Sequence, residues 1–236
     1  MRTLVSIAVA TAVALGGGAL AEAKKKAGEG GKPEAPAKIA LGANLLKNGN
    51  AEQSKGKEPT GWEVSTVADG VGAKVEQYGR VAGEWAANAP GAPNGGKSYF
   101  RIVFDTSVLN ESMTQTVDLA PIVDRVQAGR VTAALSGYIG ALVGSETTAQ
   151  ITVTFLDAAG KKLGTIETGA FDNARLPKPE RGTASMINVG KSLAVPVKTT
   201  QVRVQLMAQP TGIGGNYVAF ADNLSLVLDE PKIGGK

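Results

Sequence analysis

The chain has 236 residues, with 25 Lys and Arg against 21 Asp and Glu, so its net charge is only +4. That balance is too mild to mark a nucleic-acid binder, whose basic residues concentrate on one face; here the lysines are scattered or gathered in tails. Cysteine and histidine are both absent, which removes disulfides, Cys/His metal sites, thiol nucleophiles and every histidine-based triad. Chemistry is left to carboxylates, Ser/Thr, Lys or Tyr. Abundant glycine (31) and few aromatics (5%) suit a turn-rich β protein.

Met1-Arg2-Thr3 gives a short positive start, residues 4–18 an apolar run, and Ala19-Leu20-Ala21 small residues where a signal peptidase reads. This predicts a signal peptide over residues 1–21, cleaved before Glu22. The run is too short and too glycine-punctuated for a comfortable membrane span, so a retained anchor is the lesser alternative and no span is expected after cleavage. The expected destination is secreted, periplasmic or at the cell surface. Residues 22–43 are rich in Lys, Gly, Ala and Pro with almost no large apolar side chain. They read as a flexible linker, because so little buried surface cannot offset the entropy of ordering. Lys24-Lys25-Lys26 reads as a solvated charge run rather than a site for anionic lipid or polymer.

A folded domain is predicted over residues 44–228, with a tail at 229–236. It opens with Asn44-Leu45-Leu46, a turn at Asn48-Gly49, a carboxylate at Glu52, and Gly61-Trp62. Trp62 enters a strand from a turn and is expected in the core, where an indole buries a large area. Residues 75–78 read as a strand and 84–90 as a loop; Trp85 in that loop is either tucked against the domain or an exposed stacking surface. The next strand, residues 98–104, puts Phe100, Ile102 and Phe104 on one face and Tyr99 and Arg101 on the other. Residues 113–119 form another strand, and 120–127 close into one helical turn.

The most regular stretch is residues 130–157. Val131, Ala133, Leu135 and Ile139 share one parity, and Ala149, Ile151, Val153 and Phe155 share another after a break at Gly144-Ser145-Glu146. A two-residue period with β-branched enrichment means half-buried strands. These are the expected central strands of an antiparallel sandwich. Residues 161–168 pair back as a short strand, and 169–182 form the longest irregular stretch, of the kind that is often functional or mobile. In residues 201–207, Val202, Val204 and Leu206 face in while Gln201, Arg203 and Gln205 face out. Residues 217–228 close the domain, and no internal repeat is evident.

Several of these stretches, in this order, resemble a known family. Asn44-Leu45…Asn48-Gly49…Glu52 with Gly61-Trp62, the Tyr99–Arg101 strand, Gln115-Thr116-Val117, Val195-Pro196…Val202-Arg203-Val204, and Asp222-Asn223-Leu224-Ser225-Leu226 are similar to motifs of carbohydrate-binding modules of the family 4/9/22-like group, within the galactose-binding-domain-like jelly rolls. Ala51 departs from the pattern, since the family usually carries Phe there. The resemblance implies an all-β jelly-roll sandwich of two antiparallel sheets that binds a glycan or polysaccharide without catalysis. It also implies a structural calcium joining the first and last strands, at Glu52 and Asp222. The alternative for those two residues is that Asp222 and Asn223 cap backbone amides while Glu52 pairs with a lysine.

A sugar site combines an aromatic plane with amide, guanidinium and hydroxyl groups, on an outward sheet face or on end loops. Outward parity and loop position nominate Trp85, Tyr99, Arg101, Tyr138, Gln150, Arg203 and Gln205, with Thr152 beside them; ordinary solvent-facing sheet is the competing account. Catalysis would need a carboxylate pair, and Asp105, Glu111, Asp157, Glu167 and Asp172 lie at turns or strand ends where acids are usual. The expected function is exported, non-catalytic glycan binding; the alternative is a structural or adhesion module of the cell envelope that binds protein partners without sugar.

Overall fold

The computed structural model describes residues 38–230, apart from residues 66–70, 86–91, 93, 105–109, 172–175, 178–183 and 213–216. The expected signal peptide, most of the linker, Asp105, Asp172 and most of the tail lie outside the described residues. Alternating sequence becomes strand almost throughout. The first strands are β1 (Ser54–Lys55), β2 (Glu58–Pro59), β3 (Glu63–Val64), β4 (Gly72–Gln77), β5 (Ser98–Phe104) and β6 (Glu111–Asp118). A 3₁₀ turn at Ala120–Ile122 leads into the short helix α1 (Val123–Gln127), where a helical turn was expected. Then come β7 (Thr132–Leu142), β8 (Thr147–Leu156), β9 (Lys162–Glu167), β10 (Ala184–Ala194), β11 (Gln201–Pro210) and β12 (Tyr217–Asp229).

Two five-stranded antiparallel sheets form the expected jelly-roll sandwich. The first runs β10–β7–β12–β5–β4 and the second β3–β6–β11–β8–β9, with β1 and β2 as a separate hairpin. The regular stretch of residues 130–157 therefore supplies one strand to each sheet: β7 and β8 do not pair with each other but face across the core. Their inward parity is buried as expected, Ile139, Ile151, Val153 and Phe155 completely so. Phe100, Ile102, Val202, Val204 and Leu206 complete the same cluster, and Trp62 joins it edge-on to Phe100 at 5.9 Å. β9 pairs back on β8. β10 has no counterpart in the sequence reading, because Asn188, Gly190, Lys191 and Ser192 interrupt its apolar pattern. It forms as an edge strand held by an unbroken ladder to β7, from Ala184 opposite Leu142 to Ala194 opposite Thr132.

The two ends of the domain meet at a bulge. Pairing of β12 with β7 shifts register between Asp222 and Ser225, and Asn223 there has φ of 49°, a left-handed conformation that asparagine tolerates better than most residues. One extra residue in a strand exchanges its faces. Ala219 and Ala221 point inward before the bulge, and Leu224, Leu226 and Leu228 after it, all fully buried. Beyond Ala221 β12 leaves β5, and the start of the domain takes the vacated side. Gly42 N–H donates to Leu228 O and Leu45 N–H to Leu226 O, both at 2.9 Å. Asn44 staples this junction: its Oδ1 accepts from Leu226 N–H at 3.0 Å and its Nδ2 donates to Leu224 O at 3.0 Å. Asn48 does the same for the following turn, its Nδ2 donating to Gln53 O at 2.6 Å and Thr60 O at 3.1 Å. No helix among the described residues is long and apolar enough to cross a membrane.

Candidate functional site

The residues nominated from parity divide between the outward faces of the two sheets. On the first sheet the outward face is covered over Tyr99, Val218 and Phe220. The segment following β4 folds back over it, so that Trp85, Tyr99, Ala184, Val218 and Phe220 form a second apolar cluster. The Trp85 ring centroid lies 5.2 Å from that of Tyr78 and 5.6 Å from that of Phe220. Trp85 is 8% exposed and Tyr99 fully buried, which corrects the expectation that either presents a free ring to a ligand: a loop of small and polar residues packs its one indole inward because the bare Tyr99–Phe220 face offers apolar area to cover. Glu84 anchors the loop. Its Oε1 accepts from Arg101 Nε at 2.7 Å and lies 2.6 Å from Arg101 Nη2, and its Oε2 accepts from the Tyr99 hydroxyl at 2.8 Å. Burial, with Glu84 alongside, pushes the Tyr99 phenol well above the usual range. Arg101 is thus committed to an intramolecular ion pair. Tyr138, half-buried on this face, sits in register between Asn188 and Asp222.

Glu52 and Asp222 come together on Gly95-Gly96. A Cβ on Gly95 would stand 2.3 Å from Asp222 Oδ2 and 2.8 Å from the Ala92 carbonyl oxygen; one on Gly96 would stand 2.5 Å from Glu52 Oε1. Only glycines allow both carboxylates to approach the same short stretch. Glu52 Oε1 accepts from Lys97 N–H at 2.7 Å and Ser98 N–H at 2.8 Å. Asp222 Oδ2 accepts from the Tyr78 hydroxyl at 2.7 Å, and its Oδ1 from Asn223 N–H at 2.7 Å. Asp222 is fully buried, and its carboxyl is pushed up to about 7 by desolvation, opposed by the hydrogen bonds from Tyr78 and Asn223, with the nearby Glu52 charge raising it further. Burial, and then the same pairing with Asp222, drives the Tyr78 phenol well above its ordinary value. Calcium accepts carboxylates and carbonyls together. Asp222, Glu52 and the Ala92 carbonyl are oxygen donors of that kind, although no three acidic side chains cluster among the described residues. Glu52 makes no ion pair with a lysine among the described residues.

The outward face of the second sheet is open. Register aligns it in rows: Glu63, Thr114, Gln205, Thr152 and Glu167 across all five strands, then Thr116, Arg203, Thr154 and Thr165, with Gln150 beside Met207 in a third row. Gln150, Arg203 and Gln205 therefore share one surface. A groove of about 420 Å³ lies over it, lined by Ser65, Thr114, Thr116, Thr154, Arg203 and Gln205 among others. An adjoining pocket of about 390 Å³ shares Glu63, Thr114 and Thr116 with it and reaches Lys38, Ile39 and Leu45. The threonines of β6 were missed as site residues, though their parity in Met113-Thr114-Gln115-Thr116 was readable. Gln115, of the opposite parity, turns inward and pins Lys47, accepting from its N–H at 2.7 Å.

Of the catalytic candidates, Glu111, Asp157 and Glu167 lie among the described residues. Glu167 ends its row on the edge strand β9, opposite Thr152. Asp157 Oδ1 accepts from Ala159 and Lys161 N–H, both at 2.9 Å, and so shapes its own turn. Glu111 is fully buried and accepts from the Ser65 hydroxyl at 2.7 Å.

No family's sequence description matches the chain, and no curated protein does. Solved structures match its shape. A Stig cyclase from Fischerella sp. TAU, in complex with an indole derivative, superposes on 81% of this chain and 99% of its own, with 15% identity and a TM-score of 0.54. A xylan-binding domain of carbohydrate-binding module family 22 is 12% identical over 79% of this chain and 96% of its own, with a TM-score of 0.47. The enzymatically active domain of bacteriophage CBA120 tailspike protein 4 is 16% identical over 78% of this chain, with a TM-score of 0.49; this chain spans only 21% of it. The similarity to the cyclase is one of fold alone.

Proposed function

We propose that the chain is an exported, non-catalytic module that binds a glycan or polysaccharide along the outward face of β3–β6–β11–β8–β9. The observation behind this reading is the groove itself: hydroxyl, amide and guanidinium groups repeat at strand and residue spacings over an uncovered sheet, which suits the repeated hydroxyls of an extended sugar chain. The contacts are polar rather than stacking ones. None of the two Trp, four Tyr and five Phe is exposed. The test is retention on a panel of immobilised polysaccharides, with Gln205→Ala as the groove variant. Specific retention that Gln205→Ala weakens supports the reading, and no retention on any polysaccharide overturns it.

That same lack of exposed rings favours a second reading, an envelope module that binds protein partners without sugar; it gains if polysaccharides fail and a defined surface protein is retained. Calcium is part of the first reading. Glu52 and Asp222 would hold it, with the Ala92 carbonyl, and it would supply the positive charge that the buried Asp222 lacks. Its role is structural, joining the segment before β1 to β12. A melting temperature that calcium raises and chelator lowers supports the site; indifference to both removes it.

A further inference from the structure

We propose that the ligand of this groove is an acidic polysaccharide, held by a uronate carboxylate seated on Arg203. The inference rests on the glycan-binding reading and narrows it to a ligand class. Arg203 is exposed in the middle strand of the second sheet, flanked in register by Thr116 on β6 and Thr154 on β8. It makes no ion pair among the described residues. The groove's own carboxylate, Glu63, stands two strands across and one row along, about 12 Å from Arg203 by ordinary sheet spacings. The second acid of that row, Glu167, is at the far edge. The surface is therefore acidic at its margins and cationic at its centre.

A guanidinium presents a planar fork that matches a carboxylate in two parallel hydrogen bonds. The hydroxyls of Thr116 and Thr154, one strand away on each side, are placed to donate to the outer lone pairs of the same carboxylate or to accept from neighbouring sugar hydroxyls. Gln205 is steadied one row on, its Nε2 donating to the Ser112 hydroxyl at 3.2 Å, which leaves its carbonyl oxygen to accept from the next sugar. Hydrogen bonds to neutral hydroxyls merely replace those to water, whereas a charge-assisted one keeps a larger net gain. With no exposed ring for stacking, a charged group on the sugar is what gives this face affinity.

The experiment is titration of the full chain with polygalacturonate, alginate and glucuronoxylan, each beside its carboxyl-reduced counterpart. Arg203→Gln, Arg203→Lys and Lys191→Gln are compared, the last removing an exposed charge on the other sheet. The expected result is tighter binding of at least one acidic polymer than of its reduced form, weakened by added salt. Arg203→Gln should lose about tenfold or more in affinity for it, Arg203→Lys should lose less, and Lys191→Gln should bind like the parent. Equal binding of acidic and reduced polymers overturns the inference and leaves the glycan reading intact. So does an equal loss in Lys191→Gln and Arg203→Gln, which would mean diffuse attraction to a basic protein. Failure of every polymer, acidic or neutral, overturns the glycan reading itself.

Discussion

The outward faces of the two sheets begin from the same alternation and end differently. On the first, Tyr99, Val218 and Phe220 would leave a broad apolar surface in water, and the segment around Trp85 covers it. On the second, Thr114, Thr116, Thr152 and Thr154 need no cover, and that face stays open. Outward parity thus marks a candidate site only where the outward residues are polar. The largest expected effect tests this cover. Trp85→Ala removes the ring packed on Tyr78, Tyr99 and Phe220 and should destabilise the domain by about 3–5 kcal/mol, read from urea unfolding. A loss below about 1 kcal/mol would mean that the loop only rests on the sheet.

The second effect concerns the carboxylates at the margin of that cover. In metal-free protein the Asp222 carboxyl, pushed up to about 7 against an ordinary 3.8, holds a proton that the unfolded chain releases at lower pH. Stability is therefore full below about pH 4, falls as pH rises toward 7, and is level above it, a loss of at most about 4 kcal/mol. Melting temperatures in chelator from pH 4 to 8 should show that slope, and Asp222→Asn should flatten it. Calcium should restore much of the loss at pH 8, since it binds only the ionised form. A wild-type curve without slope would show that Asp222 ionises freely.

Much of this was legible beforehand, for local reasons. Residues whose burial follows from their own strand's alternation, such as Ile151, Val153, Val204 and Leu206, were readable, as was the meeting of Glu52 with Asp222 through the family motifs. What was hidden depends on distant partners. Tyr99 and Arg101 are outward by parity, yet Glu84, 15 and 17 residues away, closes over both. Nothing in either segment announces the other. The change of faces along β12 is hidden likewise, because the bulge at Asn223 is set by pairing with β7 and the Asn44 segment. β10 is strand by virtue of its neighbour's ladder, not its own pattern.

Two arginines of equal parity make the comparison sharpest. Arg101 on the first sheet faces a carboxylate that is 4% exposed, so Arg101→Gln leaves Glu84 with a buried charge and only the Tyr99 hydroxyl. That should cost about 2–3 kcal/mol, toward the lower end for a broken buried pair because the Arg101 side chain is itself 21% exposed. Arg203 on the second sheet has no ion pair to lose among the described residues, and Arg203→Gln should change stability by less than about 0.5 kcal/mol. Denaturant midpoints of the two variants, measured side by side, give the contrast directly. Equal losses would mean that Arg203 is also tied into the fold, and a guanidinium so tied would not be free to receive a ligand.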